Sequence, residues 1–138
     1  MLAAEAAAAF EELTLSGRDD LLVRQVRWAW PTVLRAARFI PAVEYIQANR
    51  ARLLLMQQMD ELFAEIDVYV TPSFKGNSLL ATNLTGHPQV VVPDGFTAPQ
   101  APHSISFVGR LFDEATVLAL ARAYQEATDW HRQHPPRY

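Results

Sequence analysis

Between Asp67 and Gly109 the chain carries three short β-prone runs, each closed by proline or glycine. Val68-Tyr69-Val70 is β-branched and aromatic, and Thr71-Pro72 ends it, because Pro72 has no N–H for a sheet ladder. Val90-Val91-Val92 is apolar without alternation, which predicts a strand buried on both faces. Pro93-Asp94-Gly95 follows as a turn signal, since Pro sets φ and Gly accepts positive φ. Ile105 and Phe107 alternate with Ser104 and Ser106, which predicts a strand with one polar face. Between the first two runs, Asn77 to Leu84 suits a short helix stopped at Gly86. Strand, crossover and strand is the connection that parallel strands need.

The sequence before this stretch reads as helical. Ala3 to Leu15 is rich in helix formers, and Ser16-Gly17 ends it. Asp19 or Asp20 is placed to cap a second helix, on which Leu22, Val26 and Trp30 recur in steps of four. Pro31 opens a third, short helix. The longest is expected from Pro41 to about Ile66, with Ile46, Leu53, Met56, Phe63 and Ile66 on its apolar side. After the strands, Asp113 is placed to cap a last helix, with Val117, Leu120, Ala121 and Tyr124 as its buried stripe. His131, Arg132 and His134 fall at its C-terminal end, where positive charge suits the helix dipole. Pro135-Pro136 stop it.

With 138 residues, half of them hydrophobic, the chain has the material for one core. The formal net charge of −3 gives no general attraction to nucleic acid or to an anionic membrane. The absence of cysteine excludes disulfides, thiol nucleophiles and thiolate metal sites. The apolar runs are too short to span a bilayer. Met1 to Phe10 lacks a positive segment of the kind that opens a signal peptide, so a cytoplasmic location is expected.

Four segments in order carry a family resemblance: Asp67-Val-Tyr-Val-Thr-Pro72, Thr82-Asn-Leu-Thr-Gly86-His-Pro88, Val91-Val-Pro93-x-Gly95-Phe96 and Ser106-Phe-x-Gly109. The helix from Asp113 to His131, and Tyr45-Ile-Gln-Ala-Asn-Arg50 with Asp60-Glu-Leu-Phe63 upstream, extend it over nearly the whole chain. The series resembles the C-terminal part of amidase signature enzymes, a family that includes the A subunit of tRNA-dependent amidotransferases. The resemblance implies an α/β fold: the C-terminal part of an α/β/α sandwich with a mixed sheet. Residues 1–138 are then a single C-terminal segment, helical over 1–66, with strands and crossover over 67–109 and a closing helix over 113–134. It implies carbon–nitrogen amide hydrolysis through an acyl-serine intermediate, with no metal or organic cofactor. The family's Ser-Ser-Lys machinery lies in a Gly-Ser-Ser-Gly-Gly-type segment, and none of the five serines here sits in one. The chain alone is therefore expected to be inactive, as a truncated or split C-terminal portion.

Individual residues divide between functional and structural readings. Thr71, Pro72, Ser73 and Phe74 leave the C-terminal end of a strand, where open α/β sheets bind ligands. Together with Asn83, Thr85 and Gly86 they are the expected substrate-pocket wall. Asn83 suits either a substrate amide or the Gly86 turn, and the turn is favoured. Lys75 is the only lysine and lies two residues after Ser73; a solvated loop lysine is expected rather than a Ser-Lys pair. His131 and His134 have no acidic third ligand nearby, so no metal site is expected. Arg24, Arg27, Arg35, Arg38, Arg50 and Arg52 are offset by neighbouring acids, and nucleic acid is not an expected partner.

Phe74 to Thr82 contains no carboxylate. The resemblance to the amidotransferase branch implies one there, to hold the ammonium group of glutamine, so a general amidase fits at least as well. The expected partners are the N-terminal catalytic part, in the same protein or as a separate split half, and a small amide substrate. The competing reading is a non-enzymatic interaction module or structural module.

Overall fold

The computed structural model describes residues 1–74, 76–97 and 101–134. Lys75 and Pro135-Pro136, on which two of the expectations above fall, lie outside the described residues. Contacts gather the chain into two compact units, Met1–Leu53 and Leu54–Tyr138.

The first unit is helical. It holds α1 (Leu2–Ala9), α2 (Glu11–Leu15), a 3-10 turn at Arg18–Leu21, α3 (Trp30–Ala37) and the first half of α4 (Ala42–Glu65). Ala7, Leu34 and Ala37 form its core, with Ala3, Ala6 and Leu13 against them. The alanines let the backbones of α1 and α3 approach closely. The helix expected over Ala3–Leu15 is interrupted at Phe10, and Gly17 ends the pair in the left-handed region at φ 70°.

The second helix expected through Leu22, Val26 and Trp30 does not form. Asp19 and Asp20 do not cap it; they lie inside the 3-10 turn and take Arg35 at 2.6 and 2.5 Å. The Gln25 side chain donates to Asp19 O and Leu22 O, filling carbonyls that a helix would have used. Val26 and Trp30 are left about half exposed. Asp19 itself is buried, and the Arg35 hydrogen bond holds its carboxyl below the usual carboxylate range against the opposing cost of burial.

The second unit is a three-stranded sheet with helices on it. After the C-terminal half of α4 come β1 (Val68–Pro72), α5 (Ser78–Thr85), β2 (Gln89–Thr97), β3 (Ala101–Gly109), α6 (Glu114–Thr128) and a 3-10 turn at Trp130–Arg132. The strand order is β1-β3-β2, and both pairings are antiparallel. β1 and β2 therefore run in the same direction, as the crossover through α5 requires, but β3 is inserted between them. The Pro93-Asp94-Gly95 turn signal is a β-bulge, with Gly95 at φ 110°. The strand continues past it to Thr97, and β3 begins correspondingly early at Ala101.

Alternation sorts the strands onto two faces. Val68, Val90, Val92, Ile105 and Phe107 pack under Val117, Ala121 and Tyr124 of α6. Gly109 makes this close approach possible: a Cβ there would lie 2.1 Å from Val117 Cγ2. Leu120, expected in the same stripe, is 41 % exposed. Tyr124 donates a short hydrogen bond to Asp94 in the bulge, and His103 Nδ1 lies 3.3 Å from the same carboxylate. Burial first, and Asp94 second, push the Tyr124 phenol up to about 12.

The other face carries Tyr69 and Val108 under Met59, Phe63, Leu55 and Ile66 of α4 and its C-terminal end. Of the side expected through Ile46, Leu53, Met56, Phe63 and Ile66, Phe63 and Ile66 lie in this stripe, whereas Ile46 and Leu53 are more than half exposed. Val91 also points to this face and is 53 % exposed, so β2 is not buried on both sides here. Asp113 does cap α6 by position, but its carboxylate accepts the Thr116 hydroxyl at 2.8 Å rather than a backbone N–H. The helix ends at Thr128, with Asp129 in the left-handed region, so His131, Arg132 and His134 lie beyond it.

Candidate functional site

The end of β1 organises the polar side of the second unit. Thr71 is half-buried, Pro72 and Phe74 are exposed, and Ser73 between them is buried. The Ser73 N–H donates to Ser104 O at 3.4 Å, which continues the β1–β3 ladder one step past the strand. Its side chain accepts from Ser106 Oγ at 3.0 Å. Ser106, wholly buried on β3, accepts in turn from Gln89 Nε2 at 2.8 Å. Gln89 Oε1 accepts from Thr82 Oγ1 of α5 at 2.9 Å. Four polar side chains thus join the residue after β1, β3, β2 and α5 in one series. Buried polar groups cost free energy unless paired, and here each has at least one partner.

A second cluster lies at the end of α5. Gly86 closes the helix at φ 84°, and its N–H donates to Thr82 O at 2.8 Å. Thr85 has one hydroxyl proton and donates it to Ala81 O at 2.8 Å. His87 Nδ1 lies 2.8 Å from the same oxygen and is hydrogen-bonded to it. The ring stacks on Phe63 at 4.9 Å between centroids. It lines an open hollow of about 360 Å³ with Asp60, Phe63, Ala64, Arg110 and Leu111. Burial lowers the His87 pKa below its ordinary 6.5, and the Asp60 carboxylate works weakly against that.

The hydrogen bonds of the seven expected wall residues fall into more than one group. Thr71, Pro72, Ser73 and Phe74 stand together at the end of β1. Thr85 and Gly86 belong to the His87 cluster. The Asn83 amide donates to Leu79 O at 2.7 Å, one turn back in its own helix, and not to the Gly86 turn. Gln89, Ser106, Thr82 and His87 are absent from the site residues expected from sequence. The Ser104/Ser106 alternation points to the polar face, but nothing local marks Gln89. Among the described residues no group of three or more His, Asp or Glu side chains could hold a metal ion, and no helix is long and apolar enough to cross a membrane.

This fold recurs in solved structures. A bacterial aryl acylamidase of the amidase signature family superimposes with a TM-score of 0.76 over 96 % of this chain and 33 % of its own, at 18 % identity. An amidase family protein from Bacillus anthracis does so with a TM-score of 0.70 over 93 % of this chain and 25 % of its own, at 20 % identity. The fold is that of the amidase signature enzymes. By sequence, the chain is 36 % identical over 110 residues to the A subunit of the glutamyl-tRNA(Gln) amidotransferase of Chloroflexus aggregans, and 33 % identical over 111 residues to that of Desulforudis audaxviator. In fold it matches amidase signature enzymes, and in sequence it is similar to these amidotransferase A subunits. The matches cover about two thirds of the chain, which spans about a fifth of the length of these relatives (22 % in each). No family model matches it.

Proposed function

We propose that this chain is part of an amidase that cleaves carbon–nitrogen bonds through an acyl-serine intermediate. The observation that carries this reading is the 36 % identity over 110 residues to an amidotransferase A subunit, on a fold shared with amidases. The nucleophile and its activating serine and lysine are contributed by sequence outside this stretch, in the same polypeptide or in a companion chain. This chain supplies sheet strands, the covering helix α6 and a pocket wall of Thr71, Pro72, Ser73 and Phe74, with Asn83, Thr85 and Gly86 further along. Exposed apolar side chains on its units, Val70, Val91, Leu53 and Leu54 among them, suit a surface that more of the protein covers. The test is hydrolysis of p-nitroacetanilide. The chain joined to or co-expressed with its nucleophile-bearing part releases p-nitroaniline, and the chain alone does not. Hydrolysis by the chain alone, or none by the assembly, ends this reading.

The relatives' names favour a second reading, the A subunit of a glutamine-dependent tRNA amidotransferase. The carboxylate-free Phe74 to Thr82 segment works against it, because nothing there pairs with the ammonium of glutamine. Ammonia release from glutamine at a higher kcat/KM than from simple amides would select this second reading.

A further inference from the structure

The series of buried polar side chains has a direction, and its last proton is uncommitted. Leu79 O already accepts from Asn83 Nδ2 at 2.7 Å. Thr82 Oγ1 lies 3.1 Å from that oxygen and 2.9 Å from Gln89 Oε1, so its single proton goes to Gln89. This sets the Gln89 amide with Nε2 toward Ser106. Ser106 accepts there and turns its own proton to Ser73 Oγ. Ser73 accepts, and its hydroxyl proton has no acceptor among the described residues. Ser106 is 0 % and Ser73 6 % exposed, so solvent competes little for these bonds, and each bond in such a series polarises the next.

We infer that Ser73 is a substrate-binding donor to a carbonyl oxygen of the amide, and that Gln89, acting through Ser106, is the positioning residue that makes it one. This rests on the pocket-wall reading of the β1 end. Gln89 is the only member of the series that can reverse its direction while filling the same space. As Gln89→Glu, the carboxylate accepts from both Thr82 and Ser106. Ser106 then accepts from Ser73, and Ser73 presents only lone pairs to the substrate.

The experiment uses the complete amidase that contains this chain, with p-nitroacetanilide as the probe. Ser73→Ala and Gln89→Glu each lower kcat/KM about tenfold, mainly through KM, the effect of one lost hydrogen bond. The double variant is no worse than either single one, because both remove the same donor. If Gln89→Glu does not fold, as thermal unfolding will reveal, Gln89→Met takes its place: it removes the N–H given to Ser106 without reversing the bond to Ser73, so its loss is smaller than that of Ser73→Ala, and an equal or larger loss overturns the role given to Gln89. Losses that multiply to about a hundredfold in the double variant overturn the inference, since Gln89 would then act independently of Ser73. Unchanged kinetics in Ser73→Ala overturn it too, and leave the amidase reading standing. Absence of amide hydrolysis in the wild-type assembly removes both.

Discussion

The two faces of the sheet are built from alternate residues of the same three strands, yet they hold together by different physics. Under α6 the contents are Val90, Val92, Ile105, Phe107, Val117 and Ala121, a dry cluster that any well-fitting set of apolar side chains could form. On the other face Ser106 is as deeply buried as Val117, but it is held by directional bonds to Gln89 and Ser73. Apolar packing is roughly proportional to area and tolerant of rearrangement. A hydrogen-bonded series is worth less net, but it admits few geometries. The first face supplies stability by packing alone; the second, beside its Met59–Phe63–Val108 cluster, also fixes where particular atoms of the β1 end stand.

The difference is sharpest where one large side chain is removed from the dry face. Phe107→Ala is expected to destabilise the second unit by about 3–5 kcal/mol, through lost transfer energy and the cavity under Tyr124. Chemical denaturation followed by circular dichroism measures it. Gly109→Ala comes next, within about 1–3 kcal/mol and near the upper end, because its Cβ meets Val117 Cγ2 at 2.1 Å. Adding Val117→Ala recovers part of that loss. Without such recovery, the glycine is needed for something other than the approach of α6.

On the polar face, Ser106→Ala leaves Gln89 and Ser73 each short of a partner and is expected to cost about 1–2 kcal/mol. A cost as large as that of Phe107→Ala would break the distinction between the faces.

How much of this is legible in the sequence follows the same division. Alternation of Ile105 and Phe107 with Ser104 and Ser106 identifies the dry face, because sheet periodicity is local. The polar series is not local: Ser73 and Ser106 are 33 residues apart, and Gln89 and Ser106 are 17 apart. No single stretch contains the pattern. Helical periodicity misleads at Leu22, Val26 and Trp30, where the spacing is right but Gln25 and the Asp19–Arg35 pair stabilise a turn instead. The Pro93-Asp94-Gly95 signal does mark a break in regular geometry, but it does not end the strand, since β3 is long enough to pair on both sides of a bulge.

His87 gives the polar face a pH dependence on the acid side of neutrality. Its pKa is lowered in the folded chain, so below pH 6.5 the unfolded chain binds more protons than the folded one. The stability it contributes is present above pH 6.5 and declines as pH falls from 6.5 toward the folded pKa. His87→Phe keeps a ring against Phe63 and removes the proton site. Melting temperatures measured between pH 7.5 and 5 should fall less steeply for that variant. Parallel curves would assign the slope to other groups.

The smallest expected effect separates this chain by itself from the chain in its full setting. Val91 lies midway along the edge strand β2, paired with Ser106 of the central strand on the polar face, and is 53 % exposed. In the isolated chain, Val91→Thr keeps the β-branched shape and exchanges a methyl that water already reaches for a hydroxyl. The change in stability should stay within about 0.5 kcal/mol. In a complete amidase that covers this face, the same hydroxyl is desolvated next to a polar series whose bonds are already made, and the cost rises to about 1–3 kcal/mol. Measuring the substitution in both settings by denaturant titration reads directly whether the open part of the polar face is a surface or an interior. Equal small effects would make it a surface, and would count against the β1 end lying inside a covered pocket.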